Sequence, residues 1–430
     1  MKNISKFTLL MMLMTLAISF IACKDDGNII VKSENQCEHS GFISKDETWS
    51  ASCVHILKDR VIVKEGATLT IEPGTIIKGE AGTGANASVL VIARGAQLNA
   101  QGTPSNPIVF TSIADEVTSV QTPGTNLDAT KAKGFWGGLI ILGNAPISPK
   151  TGTTEQIEGI PADVAEGNYG GTDVTDNSGT ITYVSIRFGG TLIGEGNEIN
   201  GLTLGGVGSG TTINHIEVVG NVDDGIEFFG GSVNVNDAIV LYQGDDAFDV
   251  DQAYSGTLDN FIYIAGADSD HGLEIDGPEG SENAGGSFTF KNGSLMGNAA
   301  ASEFTDFRSK AQGVVENCYF FGFNEKADVE LDDNASSTNF TNGTLLLSGN
   351  SFNSTAWSLD SEGEPDGGTS TWTDIKDIFA DKSDSGDATA ADTKFAADGN
   401  TLVTSTTNGA DKSEFIGWTL ADAEGLLSNF

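Results

Sequence analysis

Basic residues are scarce: 22 Lys and Arg stand against 60 Asp and Glu in 430 residues, for a formal charge of −38. Nucleic acid is thereby excluded as a partner, because phosphate binding needs a basic footprint. Histidine and cysteine number four each. Neither a His-Glu-x-x-His zinc helix nor a P-loop glycine motif occurs. His215 and His271 sit beside acids, with no serine motif that would make either the partner of a nucleophile. After residue 22 no apolar run is long enough for a membrane-spanning helix. Proline, nine in all, marks tight corners where it appears, as in Pro73-Gly74 and Gly102-Thr-Pro104. What the chain has in quantity is glycine, 55 residues, and carboxylate.

The longest apolar stretch opens the chain. Lys2 and Lys6 precede a mostly apolar run over 7–20, and Phe20-Ile-Ala-Cys23 ends it with a small residue before cysteine. This has the form of an export signal. It resembles the lipobox of bacterial lipoproteins, which implies lipidation of Cys23; the alternative is an ordinary secretory peptide. Lys24-Asp25-Asp26 resembles the export tag of Bacteroidota surface lipoproteins, which implies an outer-membrane anchor facing outward. Loss of the leader with its two lysines takes the charge to −40. Cys37 and Cys53, in an oxidising compartment, are expected to form a disulfide, the alternative being two free thiols. Cys318 is expected to be a packing or surface residue. His39 and His55 lack metal-ligand spacing, and His215 is expected to face solvent.

Periodicity gives the fold. Three acidic phrases follow one another in 214–276: Asn221-Val-Asp-Asp-Gly-Ile-Glu227, Gly244-Asp-Asp-Ala-Phe-Asp249 and Ser269-Asp-His-Gly-Leu-Glu274. Aligning Ile226, Phe248 and Leu273 sets Asp223, Asp245 and Asp270 in one column. Asp224, Asp246 and His271 form the next, and Glu227, Asp249 and Glu274 a third. Asn214, Asn236, Asn260, Asn292, Asn317 and Asn342 recur at similar steps before short apolar runs and are expected to stack as one corner column. Such a period, with β-branched strands and glycine-rich corners, predicts an all-β, right-handed parallel β-helix, because a single coil cannot bury its own apolar face. The expected division is 1–22 signal, 23–54 lipidated tether and N-terminal cap, 55–350 β-helix and 351–430 C-terminal cap region. Within the last, 413–427 is expected to cover the open end. Two polar excursions, 114–133 and 152–178, leave the ladder, the second as a candidate arch over the acidic flank. An insertion at 277–286 lengthens one coil.

Two resemblances follow from longer phrases. Trp136-Gly-Gly-Leu-Ile-Ile-Leu-Gly-Asn-Ala-Pro146, Asn197-Glu-Ile-Asn-Gly-Leu-Thr-Leu-Gly-Gly206 and Asp223-Asp-Gly-Ile-Glu-Phe-Phe-Gly-Gly231 resemble Bacteroidota surface or secreted β-helix proteins of the pectin-lyase-like fold. That resemblance implies fold and location only. Asn221-Val-Asp223, Gly244-Asp245-Asp246, Asp270-His271-Gly272 and Arg308-Ser309-Lys310 resemble the four signatures of polygalacturonases. The likeness implies Asp245 as general acid, Asp223 and Asp246 as activators of water, His271 as their tuner, and Arg308 and Lys310 as holders of a uronate carboxylate. Val222, Asp270 and Ser309 depart from those signatures.

From the residues themselves, hard cations want six to eight oxygens, and Asp245, Asp246, Asp249 and Asp251 are the expected donors for Ca2+. The plain alternative for any one carboxylate is a solvated acidic ladder. The functional expectation is a surface-anchored module that binds or scaffolds glycans, cations or a partner protein. A polysaccharide hydrolase or lyase is the competing class.

Overall fold

Inside each coil, residues alternate between core and flank with a period of two. In the strand Ile226–Phe229, Ile226 and Phe228 point inward and are fully buried, while Glu227 points out between them. The next coil repeats the pattern in Phe248–Asp251, with Phe248 over Ile226 and Val250 over Phe228. A fully buried side chain of this kind contributes roughly 1.5–3 kcal/mol, and one continuous core of such residues runs from Ile43 to Phe395. The computed structural model describes residues 35–430 except 121–123, 192–198, 279–283, 301–302, 383–387 and 406–407. Cys23 and Lys24-Asp25-Asp26 lie outside the described residues.

Twenty-six strands form one parallel sheet wound into a right-handed parallel β-helix. Three ladders make its sides. The first stacks Thr68–Ile71, Gln97–Gln101 and the opening halves of Gly179–Arg187, Thr212–Val219, Asn234–Leu241, Thr257–Ile264 and Phe288–Met296. The second stacks the closing halves of those long strands on Ile108–Ser112. The third runs through Leu139–Leu142, Leu202–Gly205, Ile226–Phe229, Phe248–Asp251, His271–Asp276, Glu303–Arg308 and Val329–Leu331. Parallel pairing begins at Gln36–Ile43 and continues through Thr401–Val403, so the ladders run past both 55 and 350.

Each long strand bends once, at a residue in the left-handed conformation. Tyr183, His215, Asp237, Asn260, Asn292 and Asn317 occupy that corner with φ between 51° and 59°. The asparagine column is therefore only half as expected. Asn260, Asn292 and Asn317 stand in it, and Asn317 Nδ2 donates to Asn292 Oδ1 at 2.6 Å. Asn214 pairs with Asn236 one position earlier, on the strand proper. Asn342 leaves the ladder altogether and ends the helix Asn334–Asn342. Asparagine tolerates left-handed dihedrals, but it also suits helix ends and strand starts, and spacing alone does not separate these uses.

The N-terminal end is closed by the Cys37–Cys53 disulfide and by stacked rings, His39 on Trp49 at 4.1 Å and Trp49 on His55 at 5.1 Å. The C-terminal end is closed by Phe340, Phe379 and Phe395, the last two 4.7 Å apart, with the helices Asn334–Asn342 and Ala388–Ala397. The segment 413–427 does not cover that end. Phe415, Trp418, Leu420 and Leu427 pack instead against Val219, Ile239, Leu241 and Ile262 on the outside of the second ladder, as a strap along the solenoid. The outward residues of that ladder are apolar there and need cover, which explains the placement. Cys318 is buried in the core, and burial pushes its thiol up to about 12. Among the described residues no helix is long and apolar enough to cross a membrane.

Candidate functional site

The outward column of the third ladder changes chemistry along its length. Ile140 lies under the excursion 152–178, packed with Ile157, Ile160 and Tyr169. Where that cover ends, carboxylates begin: Glu227, Asp249, Glu274, Asp306 and Glu330 pair coil upon coil. Stacked strands lie about 4.7–4.9 Å apart, so five acids occupy successive rungs. The excursion reaches this flank. Its Glu155 accepts from Gln252 Nε2 at 2.6 Å, and its Glu158 accepts from Asn200 Nδ2 at 3.1 Å.

A second column lies at the turn before the third ladder, tied by charge-assisted hydrogen bonds. Asn200 Oδ1 accepts from the Asp224 amide at 3.2 Å, and Asp224 Oδ1 from the Asp246 amide at 3.0 Å. Asp246 Oδ1 accepts from the His271 amide at 2.7 Å and faces His271 Nδ1 at 2.9 Å. The three-column register is thus realised coil by coil. Asp223 and Asp245 stand at the outer edge, next to Asp224.

Electrostatics divides the flank. Asp224, Glu227 and Asp249 are buried, and each carboxyl is raised well above the usual range, first by burial and then by its acidic neighbours, among them Asp249 for the first two and Asp251 for Asp249 itself. Burial and Glu330 push Asp306 up to about 7 despite His271. Asp245, at the rim, is pushed up to about 6 by burial, Asp246 and Asp270. For His271, burial opposes charge, but the hydrogen bond and charge of Asp246, with Asp270 and Glu303, prevail and raise it to about 9. The imidazolium, Arg308 and Lys382, which closes on Glu330, are internal counterions. Arg308 Nε donates to Asp276 at 2.9 Å, and its guanidinium closes on Glu274.

The geometry sorts the expected site residues differently from their sequence order. Asp224, Glu227 and Asp249 bring one oxygen each within 4.8 Å of the others, and all three are buried. Two oxygens bound to one calcium at about 2.3–2.6 Å are at most about 5 Å apart, so this trio fits a hard cation. Asp249 Oδ1 is buried there without a hydrogen-bond partner. Asp246 groups with His271 and Glu274, and Asp245 with Asp223 and Asp224; Asp251 joins none of these groups. The four expected donors Asp245, Asp246, Asp249 and Asp251 therefore do not meet at one point.

Asp223 and Asp245 bring one oxygen each within 4.8 Å at the rim. Arg308 is engaged by the protein's own acids, and Lys310 lies exposed on the following turn with φ 69°. Sequence reasoning missed Asp306 and Glu330 as members of the column. Phe-Thr305-Asp306-Phe307 and Val329-Glu330-Leu331 carry a signal that finds them, an outward acid before an inward apolar residue, as in Glu227-Phe228.

A family model described as "Pectate-lyase like beta helix domain" matches residues 41–403. No curated protein and no solved structure matches the chain.

Proposed function

The chain belongs to the pectate-lyase-like β-helix family, and from that premise we propose a calcium-dependent binding module for acidic polysaccharide, held at the cell surface by a lipid on Cys23. The observation that carries this reading is the buried trio Asp224, Glu227 and Asp249, with Asp249 Oδ1 lacking a partner. Three adjacent buried carboxylates repel one another strongly and need a proton or a cation between them. A chain of net charge −38 also repels a polyanion. Bound divalent cations remove both difficulties, neutralising the trio and bridging the rim acids Asp223, Asp245 and Asp270 to carboxylates of a glycan. Anchoring at the outer membrane accords with the lipobox and the Lys24-Asp25-Asp26 tag.

Calcium bound at 100-fold over its Kd stabilises the folded state by about 2.7 kcal/mol. Calcium is therefore expected to raise the melting temperature of the full chain, and Asp224→Asn combined with Asp249→Asn to abolish that rise while melting higher in chelator. The same pair is expected to lose binding to polygalacturonate in calcium. A calcium response unchanged in the double variant overturns the reading.

One observation favours a second reading, catalysis: the Asp245 carboxyl at about 6 is poised for proton transfer near neutrality. The engagement of Arg308 by Glu274 and Asp276 weighs against a polygalacturonase-like inverting mechanism. Reducing-end release from polygalacturonate that Asp245→Asn abolishes makes the module an enzyme; binding without release makes it a lectin-like surface.

A further inference from the structure

On the opposite side of the molecule, the strap and the left-handed corners enclose a groove of about 560 Å³. Asn260 fixes the strap's position: its Oδ1 accepts from the Asp411 amide at 2.6 Å, and its Nδ2 donates to Asp237 Oδ1 at 2.6 Å. From this hinge the strap carries Glu414 to His215, 199 residues away in sequence, with Glu414 Oε2 at 3.2 Å from His215 Nε2. Asp237 Oδ2 stands at 3.7 Å from the same nitrogen. The ring of His215 is held on its face by Tyr183, centroids 4.1 Å apart, and at its edge by Trp418.

The tautomer decides what this arrangement wants. His215 Nδ1 lies 3.0 Å from Asn214 Oδ1, an oxygen that can only accept, so Nδ1 carries the hydrogen. In the neutral ring Nε2 then turns its lone pair onto two carboxylate oxygens. We propose that His215 Nε2, Asp237 Oδ2 and Glu414 Oε2 bind a transition-metal ion of the Zn2+ class, with a fourth position open to the groove. Zinc at about 2.0–2.2 Å from N and O donors places neighbouring donors of a tetrahedron about 3.3–3.5 Å apart, and the observed 3.2 and 3.7 Å bracket that spacing.

The outer shell is in place as well. Asn214 orients the imidazole, and Asn260 holds the second oxygen of Asp237, the arrangement by which metal sites fix their ligands. The imidazole donor selects zinc over calcium, which takes oxygen alone. This site therefore stands apart from the acidic flank in both place and metal. Its three ligands come from the solenoid and the strap, so the ion also clamps the strap down.

The test is zinc titration of the chelator-treated full chain by calorimetry, with Co2+ absorption as a second readout. His215→Asn keeps a residue that tolerates the left-handed corner, and Glu414→Gln alters an accessible side chain, so both are expected to fold. Wild type is expected to take up one zinc per chain, and each variant, having lost a ligand, to bind more weakly by more than the roughly 10–100-fold that an outer-shell change costs. Asp224→Asn with Asp249→Asn is expected to leave zinc uptake unchanged, which separates this site from the calcium reading. Zinc is also expected to slow proteolysis within 408–430 in wild type and not in the variants. If wild type binds no zinc, or binds it equally in both variants, the proposal falls.

Discussion

At the scale of single residues, His271 carries more of the flank than its exposure suggests. Among the described residues it is the only cation paired with Asp246, and it also stands 3.5 Å from Glu274. Its pKa of about 9 lies above the ordinary 6.5, so the folded state holds the proton more tightly. That stabilisation is fully present below pH 6.5 and is lost as pH rises through 9. A shift of this size corresponds to roughly 3 kcal/mol. His271→Gln, which keeps a donor for Asp246 without a titrating ring, is expected to be less stable than wild type at pH 6 and nearly equal to it at pH 10. Urea midpoints at the two pH values in chelator measure the gap; a gap that does not close with pH means His271 acts through packing alone.

The pairing of Asp246 with His271 was legible in the sequence because both occupy the same place in a repeated phrase. The meeting of His215 with Glu414 was not. No repeat connects residues 199 apart when one of them lies on a strap outside the ladder. Burial was equally hidden: Asp224 and Asp245 look alike in sequence, yet one faces the solenoid under its neighbours and the other stands at the rim.

The informative element is the corner. Asn292 holds φ 59°, donates to Asp259 Oδ1 at 2.6 Å and accepts from Asn317. A β-branched side chain there is strained and breaks both bonds. Asn292→Val is expected to cost about 2–3 kcal/mol, whereas Asn292→Gly loses the bonds without the strain and costs about 1 kcal/mol. Chemical unfolding of the two variants side by side gives the comparison; equal losses mean that strain contributes nothing. Strand order and the inward alternation of the ladders were readable from period-two patterning. The corner was only partly so, because Tyr183, His215 and Asp237 fill the same conformation as the asparagines. The role is set by dihedral angle, and several residue types meet it when neighbouring coils hold them.

For the whole molecule, charge and attachment matter most. A chain of net charge −38 is repelled by anionic surfaces. Cys23→Ala is expected to move the protein from the membrane fraction to the soluble one. Membrane association that survives this change means another anchor exists. Replacing Lys24, Asp25 and Asp26 together is expected to retain the lipid and lower protease accessibility on intact cells. The extent of the solenoid was legible through its middle coils, where the period is regular. It was not legible at its ends, where short strands such as Glu47–Trp49 and Thr401–Val403 join the ladders without a phrase of their own.

The left-handed corner has one more consequence, for how such a chain can change length. From Gly179–Arg187 to Phe288–Met296 the corner occupies a single residue inside an unbroken strand. Three of the long departures lie elsewhere: 114–133 falls between the second and third ladders, and 152–178 and 277–286 between the third and the first. Over these coils one edge of the prism is thus a sealed seam, and the other two are open margins. Loops can be spliced into the margins without shifting any rung, whereas one extra residue inside one of these unbroken strands puts the rest of that strand on the wrong face unless a bulge absorbs it. The molecule can acquire new loops beside its acidic flank while its seam keeps count of the coils.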